Sequence, residues 1–160
     1  MRQGILGIVT GAVALAAASL AGAAETPPTE VAFHDGAIEQ SLTGVPGDPV
    51  AGEKVMTTAA LGNCLACHQS EALGAYPFQG NIAPPLDGVA DRWSEAELRG
   101  IVVNAKMTFD ESFMPAFYKT TGFIRPGDGY KGTAAPADMP PILTAQQVED
   151  VVAYLMTLKD

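Results

Sequence analysis

Helical periodicity marks three stretches of this chain, and polar or Gly/Pro-rich segments separate them. The last stretch is the clearest. Val148, Val151, Val152, Leu155 and Leu158 recur three and four residues apart with Tyr154 beside them, which gathers them on one helical face. Thr144, followed three residues on by Gln147, is a capping box that starts this helix. A second helix opens at Trp93-Ser94, where Ser94 and Glu97 form another capping box and Leu98, Ile101 and Val102 make the apolar stripe; the pattern fades around Lys106. The first opens at Asp48-Pro49, an N-cap residue followed by proline at the first helical position. It should bury Val50, Val55 and Met56, offer Gly52 for close approach by another helix, and end near Gly62.

The intervening segments carry different signals. Glu25 to Gly47 holds Pro27, Pro28, Gly36, Gly44, Pro46 and Gly47 without sustained periodicity, and reads as an extended arm rather than a packed element. Gly74 to Pro85 is a loop. Phe109 to Pro141 is rich in Gly and Pro and long for a structureless connection, a length that usually goes with a functional loop. No internal repeat and no convincing strand alternation is present. The expected class is therefore all-α with long loops, and 160 residues allow one domain with a modest core, placed at 48–160.

Residues 1–24 read as a secretory signal peptide. Arg2 supplies the positive start, Ile5 to Leu20 is apolar, and Ala21-Gly22-Ala23-Ala24 offers small residues to a peptidase, with cleavage after Ala23 or Ala24. The competing reading is an uncleaved anchor, because Gly4 to Ala24 carries no charge and approaches bilayer-spanning length. The cleavage site and the Ala/Gly content favour export to the periplasm without a stable membrane anchor. Formal charge is −9, from nine basic and eighteen acidic residues; losing Arg2 with the leader takes the mature chain to −10. Such a surface argues against nucleic acid or anionic lipid as partner, and either steers the chain toward a basic protein face or simply keeps it soluble.

The chemistry centres on Cys64-Leu65-Ala66-Cys67-His68. The two cysteines of an exported chain could pair as a disulfide, or serve a thiol oxidoreductase, but the latter calls for a thioredoxin-like βαβ pattern that is absent around Cys64. Two thiols three positions apart on one helical turn can instead each form a thioether to a haem vinyl group, and the next residue's imidazole then lies beneath the iron. The motif implies one covalently attached haem c with His68 as the first axial ligand. His34, the other histidine, sits in the irregular arm and is read as solvated. Five methionines of the mature chain compete for the second axial position. Met56 and Met156 lie on helices at core positions and Met107 at a fraying helix end. Met114-Pro115 and Met139-Pro140 both lie on loops, with proline holding the methionine backbone extended, and either could present sulfur to iron.

The set of CxxCH, then Pro84-Pro85-Leu86-Asp87-Gly88, a Met-Pro loop and a helix ending Val151-Val152-Ala153-Tyr154-Leu155 resembles class I cytochromes c. Several blocks are more specific: Gly62-Asn63-Cys64, Arg92-Trp93, Leu98-Arg99-Gly100-Ile101-Val102, Met114-Pro115-Ala116-Phe117-Tyr118, Arg125-Pro126-Gly127 and Gln146-Gln147-Val148-Glu149-Asp150 resemble the SoxX family. Members of that family are monohaem subunits of SoxAX complexes of thiosulfate oxidation. The resemblance runs from about Asp48 to Lys159. It implies a class I cytochrome c fold, with Gly52, Met56, Val151 and Tyr154 at the crossing of the first and last helices. It also implies Met114 as distal ligand, with Met139-Pro140-Pro141 as the competitor, and Pro84 as the carbonyl acceptor for the His68 imidazole. Here Ala83 departs from the family glycine before that proline. Arg92 corresponds to an arginine near a haem propionate, with Trp93 beside it; a surface arginine and a core tryptophan are the plainer alternatives.

A haem with His and Met on its two faces has no open coordination position and favours single-electron transfer. By the resemblance, this chain relays electrons while a SoxA subunit supplies the reacting cysteine, the complex acting as an L-cysteine S-thiosulfotransferase that couples thiosulfate to the cysteine of SoxY. Electrons then pass to a soluble cytochrome c. The alternative is a free-standing periplasmic electron carrier. Phe117, Tyr118, Phe123 and Tyr130 give the long loop aromatic content suited to a partner surface or, equally, to packing over the haem.

Overall fold

The computed structural model describes residues 24–123, 136 and 138–160. Residues 1–23 of the leader, and Arg125, Pro126, Gly127 and Tyr130 of the long loop, lie outside the described residues. Four α-helices follow one another, α1 (Pro49–Thr57), α2 (Val89–Arg92), α3 (Glu95–Asn104) and α4 (Ala145–Leu155), with short 3-10 turns at Cys64–Ala66, Glu71–Leu73 and Ala105–Met107. Among the described residues there is no strand, only an isolated antiparallel bridge between His34 and Ala37. No helix among them is long and apolar enough to cross a membrane.

Local chemistry sets the helix ends. The Asp48 carboxylate accepts from the Val50 amide at 2.9 Å, and Pro49 occupies the first turn, where its missing N–H costs nothing. Both expected capping boxes are closed in both directions, Ser94 with Glu97 and Thr144 with Gln147. The helix predicted to run to Gly62 stops at Thr57. Thr57 and Thr58 turn their hydroxyls back to the carbonyls of Glu53 and Lys54, and the Gly62 amide then folds back onto the Val55 carbonyl at 3.1 Å. Val50 faces water rather than the core, at 77% exposure. The buried face of α1 is Gly52, Val55 and Met56, and Val50 lies two residues, about 200° of helical rotation, from Gly52.

α1 and α4 make the most extensive helix contact. A side chain on Gly52 would overlap the Asp150 carbonyl and the Tyr154 Cβ, so the two backbones touch there. Met56, Val148, Val151 and Val152 are buried around this crossing, and Leu98, Val102 and Val103 of α3 complete the same core.

The arm of residues 25–47 departs from expectation. It lacks helix and strand, as its missing periodicity predicts, but it is packed. Ile38 and Leu42 are 3% and 1% exposed. The fastening comes from buried charge on the helices. Arg99 of α3 donates Nε to both carboxylate oxygens of Glu149 at 3.0 and 3.1 Å and Nη1 to the Ile38 carbonyl at 2.9 Å, while Glu149 accepts the Leu42 amide at 2.7 Å. Irregular backbone can be buried only if its polar groups find partners, and this ion pair supplies them. Burial pulls the Arg99 guanidinium down, but the hydrogen bonds and charges of Glu149 and Glu95 outweigh it and hold it above its ordinary value.

Candidate haem site

The CxxCH motif begins directly after α1 and its turn. Asn63 takes a left-handed conformation (φ 47°), which asparagine tolerates better than most residues, and turns the chain into the 3-10 segment Cys64–Ala66. The Cys67 and His68 amides both return to the Cys64 carbonyl, at 3.1 and 3.0 Å. The two cysteines therefore open and close a single 3-10 turn. Both thiols are free and half-buried. Burial, with the nearby Cys67 adding to it, pushes the Cys64 thiol up to about 12 against a backbone hydrogen bond that lowers it. A thiol held protonated is the opposite of what an exchange-active CxxC needs.

The segment from Gln79 to Leu86 lies along this turn and is hydrogen-bonded to it. Gly80 donates to the Leu65 carbonyl at 2.7 Å, Ala83 to Cys67 at 3.1 Å and Leu86 to Gln69 at 2.9 Å. A Cβ on Gly80 would overlap the Ala66 carbonyl and press on the Cys67 Cα. The Gln79 side chain braces the other end, accepting from the Ser70 amide at 2.6 Å and donating to the Leu73 carbonyl at 2.8 Å. This register delivers Pro84 to His68. The His68 Nδ1 lies 2.7 Å from the Pro84 carbonyl oxygen, which can only accept, so Nδ1 donates there and Nε2 is the nitrogen left for a metal. Arg92 turns back onto the same loop, donating Nη1 to the Asp87 carbonyl at 2.7 Å and Nη2 to the Pro85 carbonyl at 3.1 Å. Trp93 is half-buried and meets Phe109 edge to face at 5.8 Å.

On the other loop, Met114 is half-buried and packs against the core, as does Cys64. Its amide donates to Ser112 Oγ at 3.2 Å, and its carbonyl accepts Lys106 Nζ at 3.1 Å. Ala116, Phe117 and Tyr118 immediately after it are buried. The aromatic content expected at a partner surface is thus partly core: Phe117 and Tyr118 are 6% and 2% exposed, while Phe123 is half-buried under the Lys119 ammonium. Met139 is half-buried on its own loop, Met107 is 49% exposed and Met56 is sealed at 1%. His34 is exposed in the turn that its own backbone closes with Ala37.

These residues fit a covalent haem. Two unpaired thiols bracket one turn, and the following imidazole is oriented by a carbonyl with its second nitrogen free to ligate. Phe78 just before the strap along the motif, Ile82 on it, and Phe113 next to Met114 are 95%, 64% and 71% exposed, apolar surface of the kind a flat hydrophobic macrocycle covers. Gln79, Gly80 and Asp87, whose Oδ1 accepts the Glu71 amide at 2.8 Å, complete the strap; apart from the glycine in a loop, nothing in their spacing singled them out.

A CxxCH turn with its histidine oriented in this way, set in an all-α fold, defines a monohaem c-type cytochrome. The chain belongs to the cytochrome c family, whose model matches residues 49–159, and within it to the SoxX group of electron-transfer cytochromes. It is similar to a chain in the crystal structure of SoxXA from P. pantotrophus, with 63% sequence identity and a TM-score of 0.81, over 86% of this chain and 100% of that one. No curated protein matches the sequence. The prosthetic group is one covalently attached haem c.

Proposed function

We propose that this chain is the electron-relay subunit of a two-component SoxXA-type complex in the periplasm, with a SoxA-type partner performing the sulfur chemistry. The supporting observation is its 63% identity to a SoxXA chain along that chain's whole length. On this reading the complex is an L-cysteine S-thiosulfotransferase that joins thiosulfate to the carrier cysteine of a SoxY-type protein. Forming that S–S bond releases two electrons, which leave singly through this chain toward a soluble cytochrome c. Cys64 and Cys67 are the chain's only cysteines and both are consumed in thioethers, so the reacting thiol belongs to another subunit.

Bound at the motif, haem supplies one-electron exchange at its iron. His68 ligates through Nε2 while Pro84 fixes the ring and raises the basicity of the nitrogen. Met114 would supply the second ligand. Arg92 holds the carbonyls of Pro85 and Asp87 and places a positive charge at the edge of the strap, where a propionate would be neutralised. Held by both His68 and Met114, the metal would be closed to small ligands. The leader, residues 1–24, directs export, and the charge of −10 on the mature chain favours a basic docking face on partner or acceptor.

The test is native co-purification. A tagged chain at native expression should bring down a second haem-staining polypeptide with its own CxxCH. Recovery of the tagged chain alone would favour a free-standing carrier.

A further inference from the structure

One tie between distant parts of the chain ends four residues beyond the proposed distal ligand. Tyr118, four residues beyond Met114, is 2% exposed, and its hydroxyl reaches the first residues of the arm. It lies 2.7 Å from the Thr26 carbonyl oxygen and 3.0 Å from Glu25 Oε1, across 92 and 93 residues of sequence. Both partners only accept, so the single phenolic proton serves the closer carbonyl and is shared with the carboxylate. Burial, reinforced by the hydrogen bond and charge of Glu25, holds the phenol above its ordinary value, so it stays a donor. Thr26 is fixed in turn, its amide donating to the Leu42 carbonyl at 2.7 Å, and Leu42 is held by Glu149. The same stretch is bolted to α3 and to the entry of α4, by Tyr118 N–H to the Val103 carbonyl at 3.2 Å and Leu143 N–H to the Phe117 carbonyl at 3.0 Å.

We infer that Tyr118 is a positioning residue for the distal ligand, and that the first residues of the mature arm hold the Met114 loop closed through its hydroxyl. The inference rests on Met114 being that ligand. Thioether sulfur is a soft, uncharged ligand, so its hold on the iron depends on how firmly its loop is kept in place. Pro115 stiffens the short link from Met114 to the buried Ala116-Phe117-Tyr118 run, so a clamp at Tyr118 acts on the methionine over a few restricted residues. The arm is thereby part of the redox site, although it contributes no ligand.

The experiment uses the haem-loaded full chain and exogenous imidazole, which binds ferric iron only when the methionine lets go. Tyr118→Phe removes the hydroxyl and keeps the ring. It should raise apparent imidazole affinity about tenfold, the size expected for one buried hydrogen bond to a carbonyl and a carboxylate. A mature chain starting at Thr29, which lacks Glu25 and Thr26, should show the same gain, and the two changes together no more than either alone. Unchanged imidazole affinity in Tyr118→Phe, with only a lower melting temperature, would overturn the inference by reducing the residue to packing. Additive effects would overturn it as well, because the hydroxyl would then act independently of the arm. Met114→Ala is measured alongside: if it keeps the near-infrared sulfur-to-iron band, the ligand assignment itself falls, a failure separate from the other two.

Discussion

The turn that carries His68 and the loop that carries Met114, the proposed second ligand, are built by opposite strategies. On the His68 side the orienting bonds are local: Cys64 to Cys67 and His68, Leu65 to Gly80, Cys67 to Ala83, His68 to Pro84 and Gln69 to Leu86, none spanning more than seventeen residues. On the Met114 side the bonds nearest the methionine are local, but the run behind it is held by remote segments, Leu143 before α4 and Glu25-Thr26 at the start of the arm. Short loops cost little entropy to close, so the attachment turn can form early and almost autonomously. The methionine loop can take its final shape only after the arm, α3 and α4 have assembled. An attachment site that must receive haem during maturation and a proposed ligand, Met114, that would have to be retained afterwards make different demands, and the two constructions match them.

The sharpest way to break this contrast is to remove the local chemistry. Cys64→Ser combined with Cys67→Ser should abolish covalent haem retention, read as loss of haem staining on a denaturing gel; retained covalent haem would refute the attachment site. Next in size is the other face. Met114→Ala should eliminate the near-infrared sulfur-to-iron band and lower the reduction potential, while Met139→Ala should leave both in place. The reverse pattern would move the ligand to the loop before α4.

Intermediate effects test what holds each side. Glu149→Leu leaves the Arg99 guanidinium buried without its main partner and frees the Leu42 amide, and should cost about 3–5 kcal/mol in denaturant unfolding. Because the arm is anchored there, the distal side should loosen before the proximal one, seen as greater imidazole binding with covalent haem intact. Gly80→Ala acts on the other side. Its methyl would overlap the carbonyl of Ala66, and forcing the strap outward should cost about 1–3 kcal/mol and shift the haem spectrum through His68.

What could be read from the sequence divides along the same line. The attachment turn and the three capped helices follow from residues within a few positions of one another, and each is visible as spacing; Gly52 offers close approach, but its partners on α4 enter by resemblance. The packed arm was not visible in that way. Ile38 and Leu42 have no periodicity to announce burial, and the groups that accept them, Arg99 and Glu149, look like surface charges on α3 and α4 until the fold brings them together. Val50 was misplaced because apolar character was weighed without helical phase. The burial of Phe117 and Tyr118 could not be separated from interface use, since aromatic content is the same signal for both. Pro84 and Arg92 entered by resemblance; the geometry brings them to His68 and to the strap, but their spacing alone named no role.

The smallest expected effect lies at the capping box that opens α3. Hydrogen bonds from the Ser94 backbone and then its side chain hold the exposed Glu97 carboxyl below the ordinary carboxylate range. A depressed folded value stabilises at pH above the unfolded value, and that contribution is lost as pH falls through the folded one. Glu97→Gln should therefore lower the melting temperature slightly at neutral pH, and the difference from the parent should vanish on acidification below pH of about 4. A difference that grew on acidification would reverse the assignment.

The central claim, that this chain relays electrons from thiosulfate oxidation carried out by a partner, is tested most directly in the purified complex. Thiosulfate and the carrier protein are added to the oxidised complex, and the haem of this chain is followed by its reduced absorbance bands. The account predicts reduction that requires thiosulfate, carrier and partner together, and that is lost when the carrier cysteine is replaced. A haem that stays oxidised while the carrier is modified at full rate would contradict it.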